Sequence, residues 1–380
     1  MKVLLLTAHF RPNIGGVETH LDNLCESLVK RDYQVTVLTY RPLQTKAEWK
    51  ILEREKNLEI IRLPWIPNFF YKLVNNPMLE FLYLVPGIFL VTPLILSFKK
   101  INVIHTHGLV AGFVGVFWGK IFGKRVVISL HSIYHFPKTG LYKYFVSWIF
   151  NNADYSLGLS KQSVEEIKDL GISANKVGQF TYWIDLNKFN LAKINKHNSK
   201  SKIKEQLEWK GKLVVLFVGR LVREKGVMEL LEAAKVWHKS IDLIIIGSGP
   251  LEEIIKRHCR RSKNIIYLGK IEQDKLPLYY SGVDVLIVPS TSEEGFGRVI
   301  LESLACGTPV IGAKRGAIPE AMNETVGRFI EVSTVNIKNE VEYLLVHQNE
   351  LKKLATNCRK FTERRFSEKN VENIIRSYSR

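Results

Sequence analysis

Residues 283–313 constrain the fold more than any other part of the chain. Val283 to Val288 is a mostly apolar run, the pattern of a strand buried on both faces. A polar loop carrying Gly295 and Gly297 follows, then a helical pattern over Arg298 to Ala305. Gly307 and Pro309 stop that helix, and Val310 to Ala313 begins a new apolar strand. Strand, loop, helix and second buried strand in that order predict an α/β fold.

The loop suits an anionic ligand. Its backbone N–H groups lie at a helix start, where the dipole favours negative charge. Gly295 and Gly297 let the backbone approach closely, yet Glu293, Glu294 and Glu302 place carboxylates beside the same spot. Carboxylates fit there if they accept hydrogen bonds from ligand hydroxyls, because charge-assisted bonds are about twice as strong as neutral ones. A ligand with phosphates in the middle and sugars at both ends satisfies every group.

Glu294 and Glu302, eight positions apart, enclose Gly295, Phe296 and Gly297, and Cys306, Gly307, Thr308 and Pro309 follow. This pattern resembles the signature of retaining glycosyltransferases of the GT-B fold, in the large family 4 (glycosyl transferases group 1). The resemblance implies two Rossmann-like doubly wound domains facing across a cleft. It implies a nucleotide-diphosphate sugar, UDP- or GDP-linked, as donor substrate, and no cofactor.

At 380 residues the chain is long enough for two domains with a core each. Cys25, Cys259, Cys306 and Cys358 are far apart and form no metal or disulfide spacing, which fits a reducing compartment. No signal-peptide pattern is read at the start, so a cytoplasmic protein is expected. The net charge of +18 points to an anionic partner: phosphorylated substrate, nucleic acid or an anionic membrane face. The basic run Lys256 to Lys263 lacks the interleaved aromatics that base stacking needs, and no nucleic acid is expected.

Lys2 to Thr7 reads as a buried first strand, followed by a loop with Gly15 and Gly16 that opens a helix. Pro12, Gly15, Gly16 and Glu18 resemble the family's first loop, which faces the donor diphosphate and the acceptor. Strands recur at Gln34 to Thr39, Leu58 to Arg62, Val103 to Thr106, Arg125 to Leu130 and Tyr155 to Gly158. His131 follows one of these strands, so it is either a hydrogen-bonded core histidine or, by resemblance, the histidine beneath the transferred sugar. His105 and His107 fit turn formation as well as substrate contact. Phe81 to Phe98 carries no charge and is long enough to span a bilayer, but Pro86, Gly87 and Pro93 and its place between two strands argue against that. It reads either as a buried helix pair or as a membrane-dipping segment with Trp65, Phe69, Phe70 and Tyr71 at the interface.

Tyr182 to Phe189 resembles the family's interdomain turn, with Tyr182 and Trp183 departing from its usual start. A first, acceptor-side domain over 1–189, a linker over 190–211 and a donor-binding domain over 212–364 follow, with a C-terminal helix in 365–380 packing back on the first. Gly219, Arg220 and Lys225 after the strand Lys212 to Val218 place two cations at a strand end. In the family the matching pair grips the diphosphate and neutralises the leaving group. Leu243 to Pro250 reads as a buried strand ending in a glycine turn at Gly247 and Gly249, and Ile265 to Ile271 as another strand, where the family reads the base. Gly316 and Ala317 resemble a family turn that usually carries two glycines.

The expected catalytic residues are therefore His131, Arg220, Lys225 and Glu294, with no metal. Donor-binding residues are Gly15, Gly16, Gly219, Arg220, Lys225, Gly249, Ile271, Glu294, Gly295, Phe296, Gly297 and Glu302. Asp-x-Asp, the usual metal–diphosphate clamp, is not in the sequence. The acceptor is expected to be a glycan or lipid-linked molecule, with peripheral contact to the inner membrane face. The alternatives are a GT-B nucleotide-sugar epimerase, a non-catalytic sugar-nucleotide binder and a nucleic-acid-binding protein.

Overall fold

The computed structural model describes residues 1–13, 15–43, 47–66, 77–189 and 213–379. The expected linker at 190–211 and the aromatics Phe69, Phe70 and Tyr71 lie outside the described residues. The chain forms two compact units, Met1–Tyr182 with Lys369–Arg380, and Trp183–Glu368.

The first unit is built on β1 (Lys2–Thr7), β2 (Gln34–Tyr40), β3 (Leu52–Glu55), β4 (Leu58–Leu63), β5 (Val103–His107), β6 (Arg125–Leu130), β7 (Tyr155–Gly158) and β8 (Val177–Gln179). They form one sheet in the order β3-β4-β2-β1-β5-β6-β7-β8, parallel except for the β3–β4 pair. The near-continuous apolar character of β1, β2 and β6 follows from burial on both faces. The antiparallel edge strand β3 is mostly exposed and carries Glu53, Arg54 and Glu55. Its alternating charges gave no apolar signal in the sequence, and they keep the sheet edge from recruiting another strand.

The second unit holds β9 (Leu213–Val218), β10 (Ile241–Ile246), β11 (Ile265–Tyr267), β12 (Val285–Val288), β13 (Val310–Ala313) and β14 (Gly327–Ile330). The order is β11-β10-β9-β12-β13-β14, all parallel. Both units are thus the doubly wound α/β architecture of the GT-B fold. The strand expected over Ile265 to Ile271 stops at Tyr267, because Gly269 turns the chain at φ +71° and its carbonyl is used by the N–H of Gly247.

The division between units falls after Tyr182, not after Phe189. Ile184 donates its N–H to the Phe366 carbonyl, and Arg359 binds the carbonyls of Leu186 and Phe189, so Trp183–Phe189 packs with the second unit. The C-terminal helix Val371–Ser377 belongs to the first unit, through Asn370 on the Tyr182 carbonyl and Arg125 on the Ser377 carbonyl.

Instead of a helix pair, Pro77–Phe98 is one 22-residue helix with Pro86 and Pro93 inside it. Pro93 cannot donate to the carbonyl of Phe89, and the Trp118 indole N–H donates there instead, at 2.9 Å. Around Pro86 the Tyr40 hydroxyl enters the helix ladder, donating to the Leu84 carbonyl and accepting from the Ile88 N–H. Gly87 leaves the space, since a Cβ there would stand 2.6 Å from that hydroxyl. The helix is thereby tied to β2. Tyr40→Phe should destabilise the protein by about 1–3 kcal/mol, the cost of two buried backbone groups left without their partner. Urea unfolding checks this, and an unchanged midpoint would remove the tie.

Candidate active site

In an open parallel sheet, ligands bind beyond the carboxyl ends of the strands, where the strand order reverses. In the second unit the chain runs outward from β9 to β10 and β11, then returns to β12 on the other side of β9. The loops after β9 and β12 are therefore neighbours at the switch point. They are the two loops that carry Arg220, Lys225, Glu294, Gly295 and Gly297.

Their backbones touch. Gly226 sits at φ +66°, and a Cβ on it would fall 1.7 Å from the Pro289 carbonyl oxygen. Thr291 N–H and Ser292 N–H both donate to the Glu224 carbonyl, at 3.0 and 3.3 Å. On the other side, Gly316 at φ +52° lies against the backbone of Glu294, and Ala317 N–H donates to the Glu294 carbonyl at 2.9 Å. Glu294 is thus fixed from both flanks. Its carboxylate accepts from the Lys225 ammonium and from the Ser290 hydroxyl, the latter at 2.6 Å. Burial opposes its ionisation, but Lys225, Ser290 and the nearby Arg220 hold its carboxyl below the ordinary range. Arg220 itself is exposed and forms no ion pair with the described residues.

Glu302 is buried, with its side chain 4% exposed. Tyr280 donates to Oε2 at 2.9 Å, and Arg298 Nε and Gln273 Nε2 approach Oε1 at 3.2 and 3.4 Å. A carboxylate has about four lone-pair sites, so lone pairs remain for a ligand hydroxyl. Arg298 Nη1 is buried with no partner among the described residues. Phe296 points into the core, with its ring edge-on to Phe366 at 5.8 Å, so only its backbone remains for a ligand. Gly219 and Gly249 bring the ends of β9 and β10 together, with Gly219 N–H on the Ile246 carbonyl and Gly249 over the backbone of Leu221. Ile271 lies half-buried in the loop after β11.

In the first unit Gly15 and Gly16 follow β1 and begin the helix Gly16–Val29. A Cβ on Gly15 would stand 2.3 Å from the Glu18 carboxylate. His131 is buried, and both its ring nitrogens are engaged. Nε2 lies 2.9 Å from His107 Nδ1, one N–H donating to the other lone pair, and Nδ1 lies 3.0 Å from the Tyr182 hydroxyl. His105 is held the same way, by Tyr378 and Ser129, each at 2.8 Å. Burial pushes His105 and His131 down to about 3, so both rings are neutral near pH 7. Among the described residues no group of three or more His, Cys, Asp or Glu is arranged to hold a metal.

The family description "Glycosyltransferase Family 4" matches residues 14–188, and "Glycosyl transferases group 1" matches 199–363. The chain is a GT-B glycosyltransferase of the group 1 kind. It is 26% identical over 328 residues to alpha-monoglucosyldiacylglycerol synthase of Streptococcus pneumoniae, covering 82% of this chain and 70% of that protein. Sucrose-phosphate synthase from Thermosynechococcus elongatus superposes with a TM-score of 0.81 at 21% identity, over 99% of this chain and 98% of the other. The Anabaena protein HepE in complex with UDP and glucose superposes with a TM-score of 0.75 at 20% identity, over 99% and 98% of the two chains.

Sequence reasoning missed Ser290, Tyr280, Gln273 and Arg298 in this glycosyltransferase. Arg298 alone left a signal, standing four positions before Glu302 on one helix, the spacing of an ion pair. The Tyr182 hydroxyl on His131 is also new, and it comes from a residue that departs from the family pattern.

Arg298→Met should cost about 3–5 kcal/mol, because it leaves a buried carboxylate without its cation. Arg298→Met combined with Glu302→Leu should recover most of that loss. Urea midpoints of the two variants check both outcomes. Acid should also destabilise the fold. An unfolded histidine takes up a proton below about 6.5, whereas folded His105 and His131 resist until about 3. Stability is therefore full above about pH 6.5 and falls toward pH 3, by up to about 1.4 kcal/mol per pH unit for each ring. Unfolding measured at pH 7 and pH 5 with His131→Asn as control should show a shallower slope in the variant.

Proposed function

We propose that this glycosyltransferase moves a hexose from a nucleotide-diphosphate sugar to a lipid-linked or membrane-surface acceptor, retaining the anomeric configuration and requiring no metal. The observation that carries this reading is the pairing of Lys225 with Glu294 beside Arg220 at the switch point of the second sheet. Cations there suit a diphosphate, and a fixed, ionised carboxylate suits sugar hydroxyls. The Anabaena neighbour solved with UDP and glucose supports a nucleotide-sugar donor. The relative that makes a glucosyldiacylglycerol supports a lipid acceptor.

In this reading Arg220 and Lys225 bind the diphosphate and stabilise the charge that develops on it as it leaves. Glu294 accepts from hydroxyls of the transferred sugar. Glu302, already oriented by Tyr280 and Arg298, keeps a lone pair for the ribose. The bond between the anomeric carbon and the phosphate oxygen breaks while the acceptor oxygen bonds that carbon from the same face. The acceptor proton passes to the departing phosphate, so no protein base is needed. For His131 to touch the sugar, one of its two ring hydrogen bonds must open.

Arg220→Ala tests the assignment well, since the side chain is exposed and its loss should move stability by no more than about 0.5 kcal/mol. Turnover should fall by about 10²–10³-fold, the loss typical of a transition-state donor. Wild-type turnover would remove Arg220 from the mechanism. Thermal unfolding with UDP, GDP, ADP and CDP in EDTA should show one nucleotide raising stability, by about 2.7 kcal/mol at roughly a hundredfold excess over its dissociation constant. No response to any nucleotide would sink the donor assignment.

A further inference from the structure

The helix Pro77–Phe98 is about 33 Å long at the usual rise per residue. Leu84, Ile88, Ile95 and Leu96 on its inner side are buried. Outward, Met78, Leu82, Pro86, Leu90, Leu94 and Phe98 follow one another at intervals of four, and all are exposed. Leu90 is 69% exposed and Phe98 87%. A row of exposed apolar side chains from Leu82 to Phe98 is well beyond the scattered exposed leucines of an ordinary surface.

Two more helices extend this face. Phe81, Phe113 and Phe145 lie with ring centroids 5.3–5.6 Å apart and join the helix to Leu109–Ile121 and Leu141–Asn152. Phe89 meets Phe117 one step further along, so the first two helices run in parallel. Ile121 on the second helix and Leu141, Tyr144 and Trp148 on the third are exposed as well, Leu141 by 88%.

Charge selects the occupant. Residues 77–152 contain seven lysines and arginines and one carboxylate, Glu80. Burial pushes the Glu80 carboxyl up from its ordinary range. Lys100 follows the first helix, Lys124 the second, and Lys138 and Lys143 stand at the start of the third. None of these four has an ion-pair carboxylate among the described residues. Protein interfaces are depleted in lysine, whereas lysine, tyrosine and tryptophan around an apolar helix suit a lipid headgroup layer. The ties of Tyr40 and Trp118 hold the helix backbone to the first unit, an arrangement that suits lying on a bilayer and not crossing it.

We infer that this three-helix face of the first unit docks on an anionic lipid surface. The inference rests on the lipid acceptor of the proposed function and adds the surface that would bring the enzyme to it. The test is sedimentation of the full chain with vesicles of phosphatidylcholine alone and of phosphatidylcholine with phosphatidylglycerol. Binding should be stronger to the anionic vesicles and weaken with salt. Leu90→Gln with Leu94→Gln should lower it about tenfold or more, as removal of two inserted leucines requires. Lys138→Glu with Lys143→Glu should abolish the preference for anionic vesicles. Nucleotide-induced thermal shifts of both variants should match the wild type, showing that fold and donor site are intact. Failure to bind either vesicle overturns the inference, and so does a dimer that Leu90→Gln with Leu94→Gln dissociates. Vesicle binding without a nucleotide response would leave docking in place and count against the transferase reading alone.

Discussion

The contact between the Gly226 turn and the Pro289 carbonyl is what the second unit depends on. No residue with a Cβ fits there, and the close approach lets the loop after β9 hydrogen-bond the loop after β12. Lys225 then reaches Glu294, and Gly316 closes the other flank. A cation held by a carboxylate would be a poor anion site by itself. The exposed Arg220 and the helix start beyond Gly297 add positive potential, so in the proposed function a diphosphate would compete for Lys225 while Glu294 turned to hydroxyls. In that reading, two charges that neutralise each other in the protein would become two complementary binding groups for one ligand.

The first unit solves a different problem. Three neutral histidines, at 105, 107 and 131, line the second half of β5 and the residue after β6. Tyr182 and Tyr378 come from the last residues before the chain leaves this unit and from its C-terminal return. Their hydroxyls fix the orientation of the rings of His105 and His131, and burial keeps the imidazoles uncharged. The C-terminal segment is therefore part of the polar core beside the strand ends, not only a cover on the outside.

The long apolar helix is apolar on two faces. Prolines within it free backbone carbonyls, and Trp118 supplies the partner for the Phe89 carbonyl. The inner face builds the core of the first unit, and the outer face stays apolar over its whole length. A helix that only filled a core would carry polar groups outside.

Much of the fold was legible in the sequence, because strands buried on both faces are written as continuous apolar runs and glycines mark the places where loops touch. β1, β6, β7, β13 and the helix Arg298–Ala305 could be bounded to the residue for that reason. Glu294, Glu302, Arg220 and Lys225 were singled out through the family resemblance, and the structure pairs Lys225 with Glu294. Local sequence could not say that the Phe81 to Phe98 run is one helix, since its continuity depends on Tyr40 and Trp118, which lie far away in the chain. Nor could it say that both nitrogens of His131 are bound, or that Arg298 and Tyr280 enclose Glu302. The sequence alone determined which strands are buried and which residues stand at their ends. Only the tertiary structure decided which of those residues meet, because hydrogen bonds between distant loops exist only after the sheets have brought them together.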